Sequence, residues 1–271
     1  MKYDPIKRSL GKVFNRTPFL RIIFYRLLDL LLLRSWHIRK ALKTIELDDS
    51  KGAILDAGSG FGQYVYRMSC YFPNSSILGV DVKEEQIADC NSFFGQIGKG
   101  DKVQFQYADL TTFVEDQKFS LILSVDVMEH IEEDRKVFSN FYQSLQEGGQ
   151  LLISTPSDQG GSDAHDHDHD DVHGFVDEHV RDGYGISDIS EKLKEAGFKD
   201  IRAKYSYGLP GKVSWKLSMK YPIVILGVSQ LFFVFLPFYY LLVFPLCLIL
   251  NVLDLYITHK SGTGLIVIAK K

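Results

Sequence analysis

Charge is missing from one long stretch. Residues 221–253 contain no Asp, Glu, Lys or Arg, 33 positions in a row, in a chain that is 24% charged. An apolar run of that length excludes an ordinary surface loop. One membrane crossing takes about 20 apolar residues and two take about 40, so the run is long for one span and short for two. Cysteine is scarce as well. Cys70, Cys90 and Cys247 are scattered without pairing or metal-ligand spacing, which excludes a disulfide framework and points to a reducing compartment. A dinucleotide fingerprint, Gly-x-Gly-x-x-Gly, is not completed, because Gln63 stands where its last glycine belongs.

What is present suffices for a substantial core. The 271 residues are 45% hydrophobic, enough for one large α/β domain with additions, or at most two domains. The net charge of -3 hides an asymmetry, since residues 1–43 hold eleven Lys or Arg against two Asp and leave an acidic remainder. A basic end on an acidic body suits an anionic partner for that end. Within it, residues 17–43 alternate an apolar run (Phe19, Leu20, Ile22 to Phe24, Leu27, Leu28, Leu30 to Leu33) with Arg16, Arg21, Arg26, Arg34, Arg39 and Lys40. Arginine recurs too often for a signal peptide, and no small-residue cleavage site follows. Two readings stay open: a helix on lipid headgroups with arginines outward, or a helix packed on the α/β domain.

From residue 53 onward, strand and helix patterns alternate as in a doubly wound parallel sheet. Strands are expected at 53–57, 77–81, 103–107, 119–125, 150–154, 201–205 and 264–269, and helices at 61–72, 84–94 and 187–196. The first strand runs into Asp56, Ala57, Gly58, Ser59, Gly60, Phe61, Gly62, where alternate glycines let the backbone close on a ligand. A carboxylate two residues before the first glycine is an awkward neighbour for a diphosphate and a good one for a cation.

These residues resemble the first motif of the class I S-adenosylmethionine-dependent methyltransferases, an aliphatic strand ending in D/E-x-G-x-G-x-G, complete here as Asp56, Gly58, Gly60 and Gly62. The resemblance implies a Rossmann-like α/β fold with a seven-stranded sheet of order 3-2-1-4-5-7-6, and S-adenosylmethionine as cofactor. It also implies roles along one edge of that sheet. Asp56, Ala57, Gly58, Ser59, Gly60 and Gly62 hold the amino acid end. Asp81, with Val82, takes the ribose hydroxyls; Asp109, with Leu110, faces the adenine; Asp126 lies beneath the point of methyl transfer. These aspartates follow one another at spacings of 25, 28 and 17 residues, in register with the strand ends. For a hydroxyl acceptor, His130 is the best-placed base. The Glu129-His130 pair resembles a stretch of the ubiquinone-biosynthesis O-methyltransferases, where such residues are connected with a divalent metal; the alternative is that the pair braces its loop. No metal is assigned.

Residues 162–182 interleave histidine with aspartate, from His165, His167 and His169 to His173 and His179. A metal site is chemically possible there, but an acidic lid after the fifth strand is the favoured reading, with His179 a second candidate near the acceptor. The charge-free run lies between strands six and seven, which relatives join by a short loop. Pro237 and Pro245 are expected to break its helical pattern. Lys212, Lys216 and Lys220 before it and His259 and Lys260 after it suit a re-entrant or in-plane hairpin on the cytoplasmic leaflet; a hairpin buried in the protein or in a dimer interface is the alternative.

The expected organisation is therefore a basic helical region at 1–45, a methyltransferase domain at 46–207 and 261–271, and a membrane-associating insertion at 208–260. The expected partners are membrane, through 213–257 and 17–43, and a hydrophobic small-molecule or lipid acceptor such as a quinone- or phenol-like compound. A soluble acceptor with the insertion as anchor, or a non-catalytic cofactor-binding scaffold, are the competing readings. Nucleic acid is not expected. The body is acidic, and Asp126, Val127, Met128, Glu129 stand where amino-directed enzymes carry an Asn/Asp-Pro-Pro-Tyr motif.

Overall fold

The computed structural model describes residues 17–45, 47, 52–160, 180–228 and 234–271. Seven strands form one sheet: β1 (Ala53–Ala57), β2 (Ser76–Asp81), β3 (Val103–Tyr107), β4 (Phe119–Val125), β5 (Leu145–Pro156), β6 (Lys199–Ser206) and β7 (Gly264–Lys270). Their spatial order is β3-β2-β1-β4-β5-β7-β6, as expected. The first five neighbours pair in parallel, and β7 runs antiparallel between β5 and β6. All seven residues of β4 are buried, as a central strand covered on both faces requires.

Alternation along β1 sends Leu55 and Ala57 to one layer and Ile54 to the other. The first layer packs against Val137, Phe138 and Phe141 of α5 (Asp134–Ser144) and Ile189 and Leu193 of α6 (Ile186–Glu195). The second packs against α3 (Gln63–Tyr71), α4 (Glu84–Gln96) and two N-terminal helices, α1 (Pro18–Leu31) and α2 (Leu33–Leu42). Helix α5 is one that sequence reading did not name.

The N-terminal region is thus two helices, broken at Leu32, and it packs on one face of the sheet. Thr17 caps α1, accepting from Leu20 N at 3.3 Å, with Pro18 in the first turn where its missing N–H is harmless. Tyr25, Ile38 and Leu42 are fully or almost fully buried. The outward-arginine reading is corrected at two positions. Arg21 is buried, giving Nε to Tyr25 Oη at 2.7 Å and Nη1 to Asp89 Oδ2 at 2.6 Å, and Arg34 pairs with Asp126. A guanidinium with this many partners tolerates burial that a lone one does not.

Between β6 and β7 the chain leaves the sheet as a helical hairpin. Its first arm is α7 (Leu209–Trp215), a π-helical turn at Lys216–Lys220 and α8 (Tyr221–Val228); its second is α9 (Leu236–Tyr256). Ser214 Oγ donates to Cys247 O at 3.3 Å, and Tyr239 and Tyr240 hydroxyls donate to the carbonyls of Leu217 and Ser218 at 2.6 and 2.8 Å. Those two carbonyls lie in the π-turn, where the ordinary helical ladder is interrupted. The expectation that the prolines break the helix is corrected at Pro245. Pro237 sits in the first turn of α9, and the helix runs on through Pro245. Residues 229–233 lie outside the described residues.

Candidate active site at the carboxyl edge of the sheet

Strand β1 ends in a loop built on three left-handed glycines, Gly58, Gly60 and Gly62, with φ of 82°, 51° and 81°. Gly58 N and Ser59 N both donate to Val80 O at 2.9 Å, pinning the loop to β2. A Cβ on Gly58 would come within 2.2 Å of Val127, and on Gly62 within about 3.3 Å of Cys90, Phe94 and Phe105. Those two glycines are required by the protein itself. Gly60 differs: nothing but Gln86 Oε1, at 3.9 Å, lies near its added Cβ. Its open side is where a ligand can lie against the backbone.

Asp56 is 1% exposed, and neither of its carboxylate oxygens has a hydrogen-bond partner among the described residues. Burial, and then the charge of Asp81, push its carboxyl up to about 8. Ser59 Oγ and Ser124 Oγ are likewise buried and unpartnered; Ser124 is the register partner of Ala57, at the same edge. Orphaned polar atoms of this kind are rare in a native interior.

Asp81 holds the loop from the other side. Its Oδ2 accepts from Gly60 N at 2.8 Å and its Oδ1 from Lys83 N at 3.0 Å, leaving lone pairs on both oxygens. Val82 beside it is exposed. Asp109 is exposed and opens a turn, its Oδ1 accepting from Thr111 N and Oγ1 at 2.9 and 2.8 Å; the backbone bond, then the hydroxyl, hold its carboxyl below the usual carboxylate range. Leu110 is a core residue whose carbonyl accepts from Asn140, so its side chain faces away from the edge.

At the end of β4, Asp126 adopts φ of 52°, rare for a non-glycine residue and a mark of a constrained site, and its half-buried carboxylate pairs with Arg34 of α2. One helical turn, Met128–His130, follows. Glu129 is 1% exposed, accepts from Thr155 Oγ1 at 3.1 Å, and its carboxyl is pushed up by burial against the pull of Thr155, His130 and Arg34. Glu129 is therefore an internal brace. It does not cap the next helix, which begins from Glu133. His130, half-buried, remains the exposed-side base candidate at this edge. His179 and the His/Asp-rich stretch lie outside the described residues, and no metal-binding cluster occurs among the described ones.

Sequence reading missed four participants. Arg21 and Tyr25 both donate to Phe61 O of the glycine loop, and their i, i+4 spacing on α1 was the available signal. Arg34 reaches Asp126, and its backbone N donates at 2.9 Å to the hydroxyl of Tyr207, a phenol that burial pushes up to about 12 and keeps neutral. Nothing local in the sequence announces those two.

The donor set fits S-adenosylmethionine. Asp56 is a buried carboxylate that lacks a cation, Gly60 offers open backbone, and Asp81 keeps acceptor capacity for a diol. This arrangement can position a cationic ligand with its amino acid end at β1 and its far end past β2 toward Asp109, leaving Asp126 and His130 on the β4 side of the loop.

Comparison with known proteins gives concordant results. Residues 48–197 match the sequence pattern of a family described as a methyltransferase domain. Phosphoethanolamine N-methyltransferase 1 of Arabidopsis thaliana is 31% identical over 162 residues, which span 56% of this chain and 29% of that protein. Malonyl-[acyl-carrier protein] O-methyltransferase 1 of Ilyobacter polytropus is 26% identical over 102 residues, 38% of this chain and 37% of its own length. The chain thus spans under a third of the plant relative. The structure of Haemonchus contortus phosphoethanolamine N-methyltransferase 2, in complex with S-adenosyl-L-methionine, superposes with a TM-score of 0.60 over 92% of this chain and 60% of that one, at 19% identity, a likeness of fold.

Proposed function

The chain belongs to the methyltransferase domain family, and from that premise we propose that it transfers a methyl group from S-adenosylmethionine to a hydrophobic acceptor resident in a membrane. The bound cofactor supplies a methyl group already activated by its sulfonium. The protein's work is to bind and orient. Asp56 takes the ammonium and becomes ionised, the Gly60 backbone lies under the amino acid end, Asp81 receives the ribose hydroxyls and Asp109 the adenine amino group. His130 removes the proton of a hydroxyl acceptor, and Glu129 holds the turn that carries it.

The observation that carries the membrane reading is the outer face of α9. Phe238, Leu241, Leu242, Leu246, Ile249 and Val252 are 44–79% exposed and recur at spacings of 1, 3 and 4, one continuous apolar stripe along a 21-residue helix of which the most apolar window is only 11% buried. Water does not favour such a face, and a patch of this extent marks an interaction surface. Lys212, Lys216, Lys220 and Lys260 flank the apolar part and suit anionic headgroups on a cytoplasmic leaflet. In this reading 208–260 is the membrane module of a monotopic enzyme.

A second reading, a soluble acceptor with the hairpin as anchor only, is favoured by the named substrates of the relatives, phosphoethanolamine and malonyl-[acyl-carrier protein]. One experiment separates the two. The purified chain is incubated with methyl-labelled S-adenosylmethionine and extracts of its source cells, then partitioned. Label in the organic phase supports the lipid-like acceptor; label confined to the aqueous phase supports the second reading. No transfer despite cofactor binding would leave a non-catalytic scaffold.

A further inference from the structure

The base of the hairpin is bolted to the rest of the molecule through one carboxylate. Asp254, near the end of α9, is 0% exposed. Its Oδ1 receives His37 Nε2 of α2 at 2.8 Å and Tyr207 N at 3.1 Å; its Oδ2 receives Gly211 N of α7 at 3.0 Å and lies 3.2 Å from His259 Nε2. Both feet of the hairpin, the end of β6 and the cap helix α2 therefore meet on a single side chain. His37 Nδ1 is buried with no partner among the described residues, and Nε2, which faces the carboxylate oxygen of Asp254, is the nitrogen that carries the proton.

Two of these contacts lead to the same place. His37 lies one helical turn along α2 from Arg34, the residue that pairs with Asp126 at the methyl-transfer end of the sheet. Tyr207 holds φ of 55°, a conformation that a tyrosine adopts only when its surroundings impose it, and Asp254 fixes its backbone N–H. In that conformation the Tyr207 hydroxyl accepts from Arg34 N. Lys40, about one further turn along α2, donates to Leu255 O of α9 at 2.7 Å. The helix that presents Arg34 to the site is thus attached to the hairpin along its length.

We infer that Asp254 and His37 are positioning residues that couple the lipid-facing hairpin to the acceptor side of the active site, acting through Tyr207 and Arg34. The inference rests on the membrane reading given above and deepens it: seating the hairpin in lipid sets the placement of α2, and with it the Arg34 pair on Asp126. The coupling runs through discrete hydrogen bonds, so removing one link interrupts it without touching the lipid-facing surface.

The test is hydrogen–deuterium exchange of the full chain with and without phosphatidylcholine–phosphatidylglycerol vesicles, on wild type, His37→Ala, His37→Gln and Tyr207→Phe, with vesicle binding measured in parallel by sedimentation. The expected result is that vesicles slow exchange not only in α9 but also in 33–42 and around 126–130. His37→Ala and Tyr207→Phe should lose the second response at unchanged vesicle binding, and His37→Gln, which keeps a donor for Asp254, should restore it. Tyr207→Phe deletes a single hydroxyl and serves if His37→Ala does not fold. Vesicle binding that protects α9 alone, or variants that respond as wild type does, would overturn the coupling while leaving the membrane reading standing. Absence of vesicle binding would overturn both.

Discussion

Two regions of this molecule are unsatisfied in opposite senses. At the carboxyl edge of the sheet the protein buries a charge-bearing group with no partner among the described residues, Asp56, together with the hydroxyls of Ser59 and Ser124, likewise unpartnered there. Along α9 it exposes apolar surface that no other described residue covers. Each arrangement is unfavourable in an isolated chain in water, the first by desolvation and the second by the hydrophobic effect. Each becomes favourable with a ligand of the matching chemistry, a cation in one case and hydrocarbon in the other. The places where a fold tolerates local disadvantage are where its function is to be sought.

The contrast can be broken region by region. The largest effect is expected on the hairpin. Leu242→Glu with Ile249→Glu replaces two exposed side chains, so the fold in water should persist. At about 1.5–3 kcal/mol per large apolar side chain removed from lipid, vesicle affinity should fall by two orders of magnitude or more. Co-sedimentation with vesicles checks it, and unchanged pelleting would mean that α9 does not face lipid. Next comes Asp81→Ala, which removes the two bonds that hold Gly60 and Lys83 and the expected ribose contact. Cofactor affinity should weaken by about 1.5–3 kcal/mol in calorimetry, the range for hydrogen bonds to a charged group.

Asp56→Asn sharpens the comparison, because its two consequences have opposite signs. The folded-state carboxyl stands near 8, above its value of 3.8 in an unfolded chain. Its stabilising contribution is therefore complete below 3.8 and is lost progressively as pH rises toward 8, so near neutral pH the ligand-free fold carries a destabilising group. A neutral amide should raise the melting temperature of the ligand-free chain at neutral pH by a few degrees, the shift expected for about 1 kcal/mol in a chain of this size, and should weaken cofactor binding at the same time. Thermal melts at neutral and at mildly acidic pH check the sign, since the gain should shrink as pH falls toward 3.8, where the unfolded-state carboxyl of the wild type also becomes protonated. The smallest effect is expected at Arg34→Gln. That pair is about one-third exposed on both sides, so its loss should alter stability by less than about 1 kcal/mol, leaving any change in turnover to be read as positioning.

Much of this was legible beforehand, for identifiable reasons. The strands declared themselves because central parallel strands are continuous apolar runs, and Val103–Tyr107 and Phe119–Val125 were bounded to the residue. The glycine loop and its four aspartates were legible because ligand-binding edges need small residues and carboxylates at strand ends. Helix α5 was overlooked although Val137, Phe138 and Phe141 carry its core face. The break at Leu32 has no glycine or proline to mark it. The continuation of α9 through Pro245 reverses a local rule, in a hairpin whose arms are cross-bonded to one another. The inward turn of Arg21 and Arg34 could not be read at all. A buried guanidinium is decided by partners 68 and 92 positions away, Asp89 and Asp126, and no local pattern reports them.

The measurement that bears most directly on this account is calorimetric titration of the wild-type chain with S-adenosylmethionine, near neutral pH in buffers of different ionisation enthalpy and then across about pH 6 to pH 8. If Asp56 is the group that receives the cationic end, binding releases close to one proton near neutral pH, affinity rises toward pH 8, and Asp56→Asn abolishes both signatures. Binding with no proton release and no dependence on pH would contradict the assignment of Asp56, and no binding at all would contradict the assignment of the cofactor.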